Sequence, residues 1–207
     1  MPGSVGKPIC IPEVSPQLAE FVGIMMGDGG MSRYQATITL HRDDDWDYAK
    51  FVSAQVKELF GYTPGIRVST KQAVVRIVIS RINIVRFLYS LGLPIGDKIR
   101  NHIDIPRWIR KKDFLLHACV RGLVDTDGSV FVHSYLSKGK RYAYKKLSFT
   151  SASEPLRQSV KKTLQGLGLQ ARLGSNNDVR IDSKNDTHRY FEVIGSSNPK
   201  HLRRYAS

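Results

Sequence analysis

Asp28 and Asp127 are the residues of this 207-residue chain best placed to do chemistry, because each closes an apolar stretch of the same design. The first stretch runs from Leu18 to Gly30 and the second from Leu116 to Ser129, and they align in register: Ala19 with Ala118, Gly23 with Gly122, Asp28 with Asp127, Gly29 with Gly128. Small residues four apart share one helix face. A glycine inside a helix costs roughly 1 kcal/mol relative to alanine, so one kept at the same place twice points to close backbone approach, with the other copy as the natural partner. An acid followed by glycine is the composition of a helix C-terminus closing on a left-handed residue, which predicts both aspartates at adjacent helix ends. Such ends carry unpaired carbonyls and about half a negative charge each. Two carboxylates there repel one another unless a cation intervenes. Together with the backbone carbonyls of Gly27 and Thr126 they form an all-oxygen donor set. It suits Mg2+, with Mn2+ or Ca2+ substituting in binding, and leaves room for water and a substrate phosphate.

The elements that must hold this pair repeat as well. After Gly30, alternation over Ala36 to Arg42 puts Thr37, Thr39 and His41 on one face and Ile38 and Leu40 on the other. A helix is predicted over Asp43 to Phe60, with Trp46, Ala49, Val52, Val56, Leu59 and Phe60 inward. A hairpin follows, Ile66 to Thr70 and Ala73 to Ser80, turning at Lys71-Gln72, and then a helix over Ile82 to Leu91. The second half repeats the order: strands near Val130 to Tyr135 and Arg141 to Ser151 around a long basic turn at Ser137 to Lys140, a helix from Glu154 to Leu167, a hairpin of Leu169 to Leu173 and Val179 to Ser183, and a last helix from Thr187 to Ile194. The reading is α+β: a pseudo-symmetric duplication of α-β-β-α-β-β-α units, residues 1 to 97 and 114 to 207, joined by a basic linker at 98 to 113. Residues 1 to 16, with four prolines, read as a tether.

Net charge is +14, which points to a polyanion as partner. It is lopsided: 10 Lys and Arg face 9 Asp and Glu through residue 97, but 22 face 9 beyond it, so most phosphate attraction should come from the second half. Two cysteines, Cys10 and Cys119, without a Cys/His cluster of zinc spacing, argue against redox or zinc chemistry. No apolar run reaches the ~18 residues of a membrane span and no signal pattern opens the chain, so a soluble protein of the cytoplasm or nucleoid is expected.

Phe21 to Gly29 and Val120 to Gly128 resemble the nine-residue motif of the LAGLIDADG homing endonucleases, and the resemblance extends from about Leu18 to Arg204. It implies two LAGLIDADG helices at the interface of two halves, antiparallel sheets forming a DNA-binding saddle, and a monomeric, two-motif enzyme cutting both strands of a long degenerate site. Asp28 and Asp127 stand where the family keeps its metal ligands. Met26 departs from the motif's earlier acid, which Asp125 keeps. The resemblance also implies that Lys98, after Leu91-Gly92-Leu93-Pro94-Ile95-Gly96, and Lys200, after Ser196-Ser197-Asn198-Pro199, reach the scissile phosphates, and that His41 stands near a water-positioning place. Hydrolysis would leave 5′-phosphate and 3′-hydroxyl ends. On the polar strand faces, Thr37, Thr39, Arg67, Ser69, Lys71 and Arg76 in the first half and Tyr144, Lys146, Ser148, Thr150 and Arg180 in the second are the expected DNA contacts, with Lys138, Lys140 and Arg141 at a hairpin tip on phosphates. Three other readings stay open: an intron maturase bound to its host RNA, a regulator of this fold that binds without cutting, and a basic two-domain binding protein. The motifs do not carry intein splicing residues, which favours an intron-encoded or freestanding gene.

Overall fold

A computed structural model describes residues 7 to 207; residues 1 to 6 of the expected tether lie outside the described residues. Helix α1 (Pro16–Met26) leads into a sheet of β1 (Gly29–Met31), β2 (Ala36–His41), β3 (Gly65–Val68) and β4 (Val74–Ile79), with α2 (Trp46–Phe60) between the hairpins and α3 (Ile82–Ser90) after them. A 3-10 turn at Ile109–Lys111 precedes α4 (Asp113–Asp127), and the order recurs as β5 (Gly128–Ser137), β6 (Lys140–Thr150), α5 (Glu154–Gly166), β7 (Ala171–Leu173), β8 (Asp178–Ile181) and α6 (Lys184–Val193). Both sheets are antiparallel and share one strand order, β1-β2-β4-β3 and β5-β6-β8-β7. The described residues thus form an α+β duplication with two four-stranded sheets and seven helices. The seventh, α7 (Pro199–Ala206), was not legible as a helix in the sequence: its apolar positions are few, and it is started by Pro199 and by the Asn198 side chain accepting from Lys200 N–H at 2.9 Å.

Helices α1 and α4 cross in backbone contact. A methyl group on Gly23 would overlap the carbonyl oxygen of Cys119, and one on Gly122 that of Glu20. The crossing also buries one ion pair. Arg121 donates to Glu20 through Nε at 2.9 Å and Nη2 at 2.7 Å, a two-pronged contact with Glu20 only 4% exposed. Around them a single apolar core takes residues from both halves, among them Phe21, Ile24, Ile38, Phe60 and Ile77 from the first and Cys119, Leu123, Phe149 and Ile181 from the second.

Several expected boundaries shift for physical reasons. The glycines after the two aspartates are not left-handed caps, for neither Gly29 nor Gly128 has positive φ. Their need is space, since a Cβ would strike Met25 O and Val124 O respectively as the chain turns from each helix into its strand. The turn between β3 and β4 spans five residues rather than two, because Ser69 Oγ accepts the N–H groups of Lys71 and Gln72 at 3.3 and 3.1 Å and closes a wider loop. The β5-β6 turn is tighter than expected: Ser137 pairs with Lys140, leaving only Lys138 (φ 48°) and Gly139 (φ 75°) in a two-residue turn of the kind that matches strand twist. In α2, Trp46 is 37% exposed while Tyr48 and Gln55 are buried, one step round the helix from the expected stripe. The tether is tied where it is described: Cys10 N–H donates to Phe60 O at 3.1 Å.

Gly122→Ala tests the crossing. Alanine favours the helix by about 1 kcal/mol, yet its methyl has only a backbone carbonyl to displace, so the variant should lose a net ~1 to 3 kcal/mol in chemical denaturation. A variant as stable as the parent would contradict the contact.

Candidate active site

The carboxylates of Asp28 and Asp127 meet where the crossed helices end. Asp127 leans over the partner helix end: a Cβ on Gly27 would stand 3.2 Å from Asp127 Oδ2 and would overlap Thr126 Oγ1. Glycine at position 27 is therefore what lets the second acid reach the first. Asp28 opens onto the polar side of the first sheet, in a shallow cleft of about 450 Å3 lined by Thr37, Thr39, Gln35 and Gly96, and its carbonyl accepts Thr39 N–H at 3.1 Å.

Burial, then the charge of Asp127, pushes Asp28 up to about 7, and burial pushes Asp127 up to about 6. The two titrate as a coupled pair. Lys98 relieves part of this. Its Nζ donates to Met26 O at 3.0 Å and to Gly27 O, and its charge lowers both aspartates while burial lowers its own pKa. Lys200 also lowers Asp28, and its ammonium pairs with Asp45 Oδ1 at 2.7 Å. Lys98 thus stands at the end of α1, and Lys200 reaches the same region through its ion pair with Asp45. An ammonium on the Gly27 carbonyl occupies the kind of position a cation would take. The donors present, two desolvated carboxylates and helix-end carbonyls, are all hard oxygens and fit a Mg2+-type ion. Among the described residues no group of three or more His, Cys, Asp or Glu side chains is arranged for a metal, so such an ion would keep several waters.

Other expected residues are placed as follows. His41 shares the outer face with Thr37 and Thr39, but its ring turns onto the following loop, Nδ1 accepting Asp44 N–H at 3.2 Å. Thr126 Oγ1 bonds back to Gly122 O and Leu123 O at 2.9 and 3.0 Å. Thr39, Arg76 and Arg67 form one cross-strand row on the outer face of the first sheet. On the second sheet, Tyr144, Lys146, Ser148 and Thr150 face outward and Ser148 pairs with Arg180. Lys146 is held by Asp182 at 2.8 Å and Arg180 by Asp178. Lys138 and Lys140 stand at the hairpin tip. Arg141 does not join them: strand alternation puts it with Ala143 and Lys145 on the helix side of the sheet.

Two groups escaped the sequence reading. Asp45, 6% exposed, holds both Lys200 and the Asn198 amide (2.9 Å) and adds a third acid to the surroundings of Asp28; it is the third of three consecutive aspartates and looked like ordinary helix-start acidity. Asp125 is buried under the site, accepting Ser197 N–H at 2.7 Å and the Ser196 hydroxyl, with His201 Nδ1 3.6 Å away. Glu20 and Arg121 were findable, as opposite charges in two apolar helices expected to cross.

The sign of the carboxylate shifts fixes a pH dependence. A group whose folded pKa is about 7 against 3.8 binds protons more tightly when folded, so its stabilisation is complete below about 4 and lost as pH rises to about 7. With chelator present, unfolding free energy should fall across that window, Asp28→Asn should flatten the fall, and added Mg2+ should restore stability at pH 8 in the parent only. An unchanged slope in Asp28→Asn would contradict the burial of that carboxylate.

Comparison with known proteins agrees with this architecture. Residues 115 to 206 match the family described as LAGLIDADG-like domain. Among solved structures, the chain resembles the LAGLIDADG meganuclease I-AabMI bound to uncleaved DNA (TM-score 0.63, 12% identity, 93% of this chain and 88% of that one). It also resembles I-DmoI in complex with DNA and Mn (0.58, 16%, 90% and 99%) and full-length DUF199/WhiA from Thermatoga maritima (0.59, 16%, 95% and 62%). A curated relative, the replication factor C small subunit of Methanocaldococcus jannaschii, is 26% identical over 93% of this chain, which spans only 9% of that protein's length. No helix among the described residues is long and apolar enough to cross a membrane. Residues 115 to 206 thus match a LAGLIDADG-like domain, and over nearly its whole length the chain shares the fold of the LAGLIDADG meganuclease I-AabMI and of I-DmoI.

Proposed function

We propose that this protein is a site-specific endonuclease of double-stranded DNA, acting as a monomer on a long target through Mg2+-dependent hydrolysis at Asp28 and Asp127. The observation that carries the reading is the pair itself: two carboxylates kept desolvated and facing each other at the junction of two polar sheet faces, with Lys98 and Lys200 converging on them. A divalent ion held by Asp28, Asp127 and the carbonyls of Gly27 and Thr126 would supply Lewis acidity toward a water and toward the departing 3′ oxygen. The chain's own residues do the rest. The carboxylates hold the cation; the lysine ammonium groups offset charge gathering on the phosphate oxygens as the new P–O bond forms and the P–O3′ bond breaks. Asp45 keeps Lys200 aimed by a short ion pair. Thr39, Arg76, Arg67, Ser148 and Arg180 extend the contact surface to either side, and the basic second half supplies most of the salt-sensitive attraction.

A binder of the same fold that does not cut is the second reading, favoured by the likeness to WhiA. It leaves the buried acids unexplained, because such a pair weakens the fold above pH 7 and returns nothing to a protein that only binds. A host-intron RNA as further partner rests on the family alone.

Supercoiled plasmid libraries carrying candidate target sites separate these readings. With Mg2+ the parent should linearise a subset, while Asp28→Asn and Asp127→Asn should bind the same sites and cut at least 100-fold more slowly, the scale of losing one preorganised charge at a reacting centre. Cutting by both variants at the parental rate would remove the carboxylates from the chemistry; binding without cutting by the parent would favour the regulator.

A further inference from the structure

The two first hairpins, equivalent by topology, are unequal in length. β1 and β2 pair over three positions, Gly29 with Ile38 to Met31 with Ala36. Their counterparts β5 and β6 pair over ten, Gly128 with Phe149 to Ser137 with Lys140. Only Leu147 to Thr150 of β6 are joined by β8; α6 and α7 back the base of the rest through Ala143 and Lys145, and beyond them the hairpin stands out as a two-stranded arm, with every β5 residue from Phe131 to Ser137 exposed. At roughly 3.3 Å per residue those seven reach about 23 Å, or roughly seven base-pair steps of 3.4 Å. From residue 128 to residue 150 there are five Lys or Arg and no Asp or Glu, the charge expected of a ribbon lying along a phosphate-walled groove.

The outer face of the arm is nevertheless not basic in its middle. His133, Tyr135, Tyr142 and Tyr144 gather there. Ring centroids lie 5.5 Å apart for Tyr135 and Tyr142, 5.8 Å for Tyr135 and Tyr144 and 6.1 Å for His133 and Tyr135, and the hydroxyls of Tyr135 and Tyr144 meet at 3.1 Å. One of these two hydroxyls donates to the other, so their polar tips are drawn together and the rings form an aromatic plate continuous with the row of Lys146, Ser148 and Arg180 on the same face. A ribbon of this width fits the major groove, whose distinctive apolar feature is the 5-methyl group of thymine. From this we infer that Tyr135, Tyr142 and Tyr144 are specificity residues that read thymine methyl groups in the outer flank of the second half-site, a flank the short first hairpin has no means of matching. The inference rests on the DNA-binding reading above. A purely structural role, cross-strand aromatic pairs stiffening a bare ribbon, makes the opposite prediction about DNA chemistry.

Duplexes enriched by the full-length protein from a random pool in Ca2+ provide the probe, and cross-linking from Gly139→Cys at the arm tip marks the flank. Each thymine there is then replaced by 2′-deoxyuridine, which removes the methyl and nothing else. The parent should lose about fourfold in affinity per methyl, the effect of one buried methyl group, and nothing for replacements in the opposite flank. Tyr135→Phe/Tyr142→Phe/Tyr144→Phe should keep that discrimination, while the triple Thr variant, β-branched so that the strands persist, should bind thymine and uracil duplexes alike. Equal binding of both duplexes by the parent, discrimination surviving in the Thr variant, loss of it in the Phe variant, or preference for single-stranded DNA or RNA over duplex would each overturn the inference. Failure to enrich any duplex would instead remove the DNA-binding reading on which it stands.

Discussion

Everything in this molecule hangs on two helices touching through their backbones. Gly23 against Cys119 and Gly122 against Glu20 bring α1 and α4 closer than any side chain would permit, and that separation decides what happens one turn further on. At the ends of helices so close, Asp28 and Asp127 fall into one another's field. Burial at the crossing raises both carboxyls, the charge of Asp127 adds to the rise at Asp28, and the ammonium of Lys98 comes to rest on the Gly27 carbonyl while Lys200 arrives from α7. The crossing also places the first strand of each sheet, because β1 follows α1 after only Gly27 and Asp28, and β5 follows α4 directly.

The polar groups beneath the site serve this geometry. The Glu20–Arg121 pair ties the helices at mid-length, and the 195–201 segment is sewn to α4 through Asp125 and to α2 through Asp45. The two halves solve the second problem differently. The N-cap position of α2 is the acid Asp45, taking Lys200 and Asn198; that of α5 is Ser153, donating to Ile103 O at 2.6 Å. Each cap receives the segment that follows the other half's last helix, so the halves are clasped reciprocally. Only one clasp is ionic, and it is the one beside Asp28. A duplicated chain has in this way become chemically unequal around its two carboxylates.

What the sequence made legible is what periodicity and register encode. Two apolar stretches with glycine and aspartate in step were enough to place the helix crossing and the acid pair, and strand alternation put Thr37, Thr39 and Arg76 on a common face opposite Val75 and Ile77. The illegible parts depend on partners distant in the chain. Asp45 acquires its meaning from Lys200, and α7 from the surfaces that bury His201. The left-handed cap expected after each aspartate was a sound local inference overridden by space, since the chain enters its strand against the last helical turn. Arg141 pairs with Leu136 just inside the turn, and because successive strand residues alternate it lies on the face opposite Tyr142 and Tyr144.

The same parity argument explains why the arm is more than an ornament of the second half. With Lys138 and Gly139 forming the turn, the aromatic side chains at 135, 142 and 144 fall together on the outer face, and a turn longer by one residue would have divided them. A bare two-stranded ribbon is marginal in water, so cross-strand tyrosines, linked through two of their hydroxyls, contribute to its rigidity whatever else they do. Yet rigidity alone could be had from the helix-facing side, where Val132 and Leu136 are left 59% and 76% exposed. That the ordered aromatic layer lies instead on the face continuous with Ser148 and Arg180 is the asymmetry that an account of this protein's target has to meet.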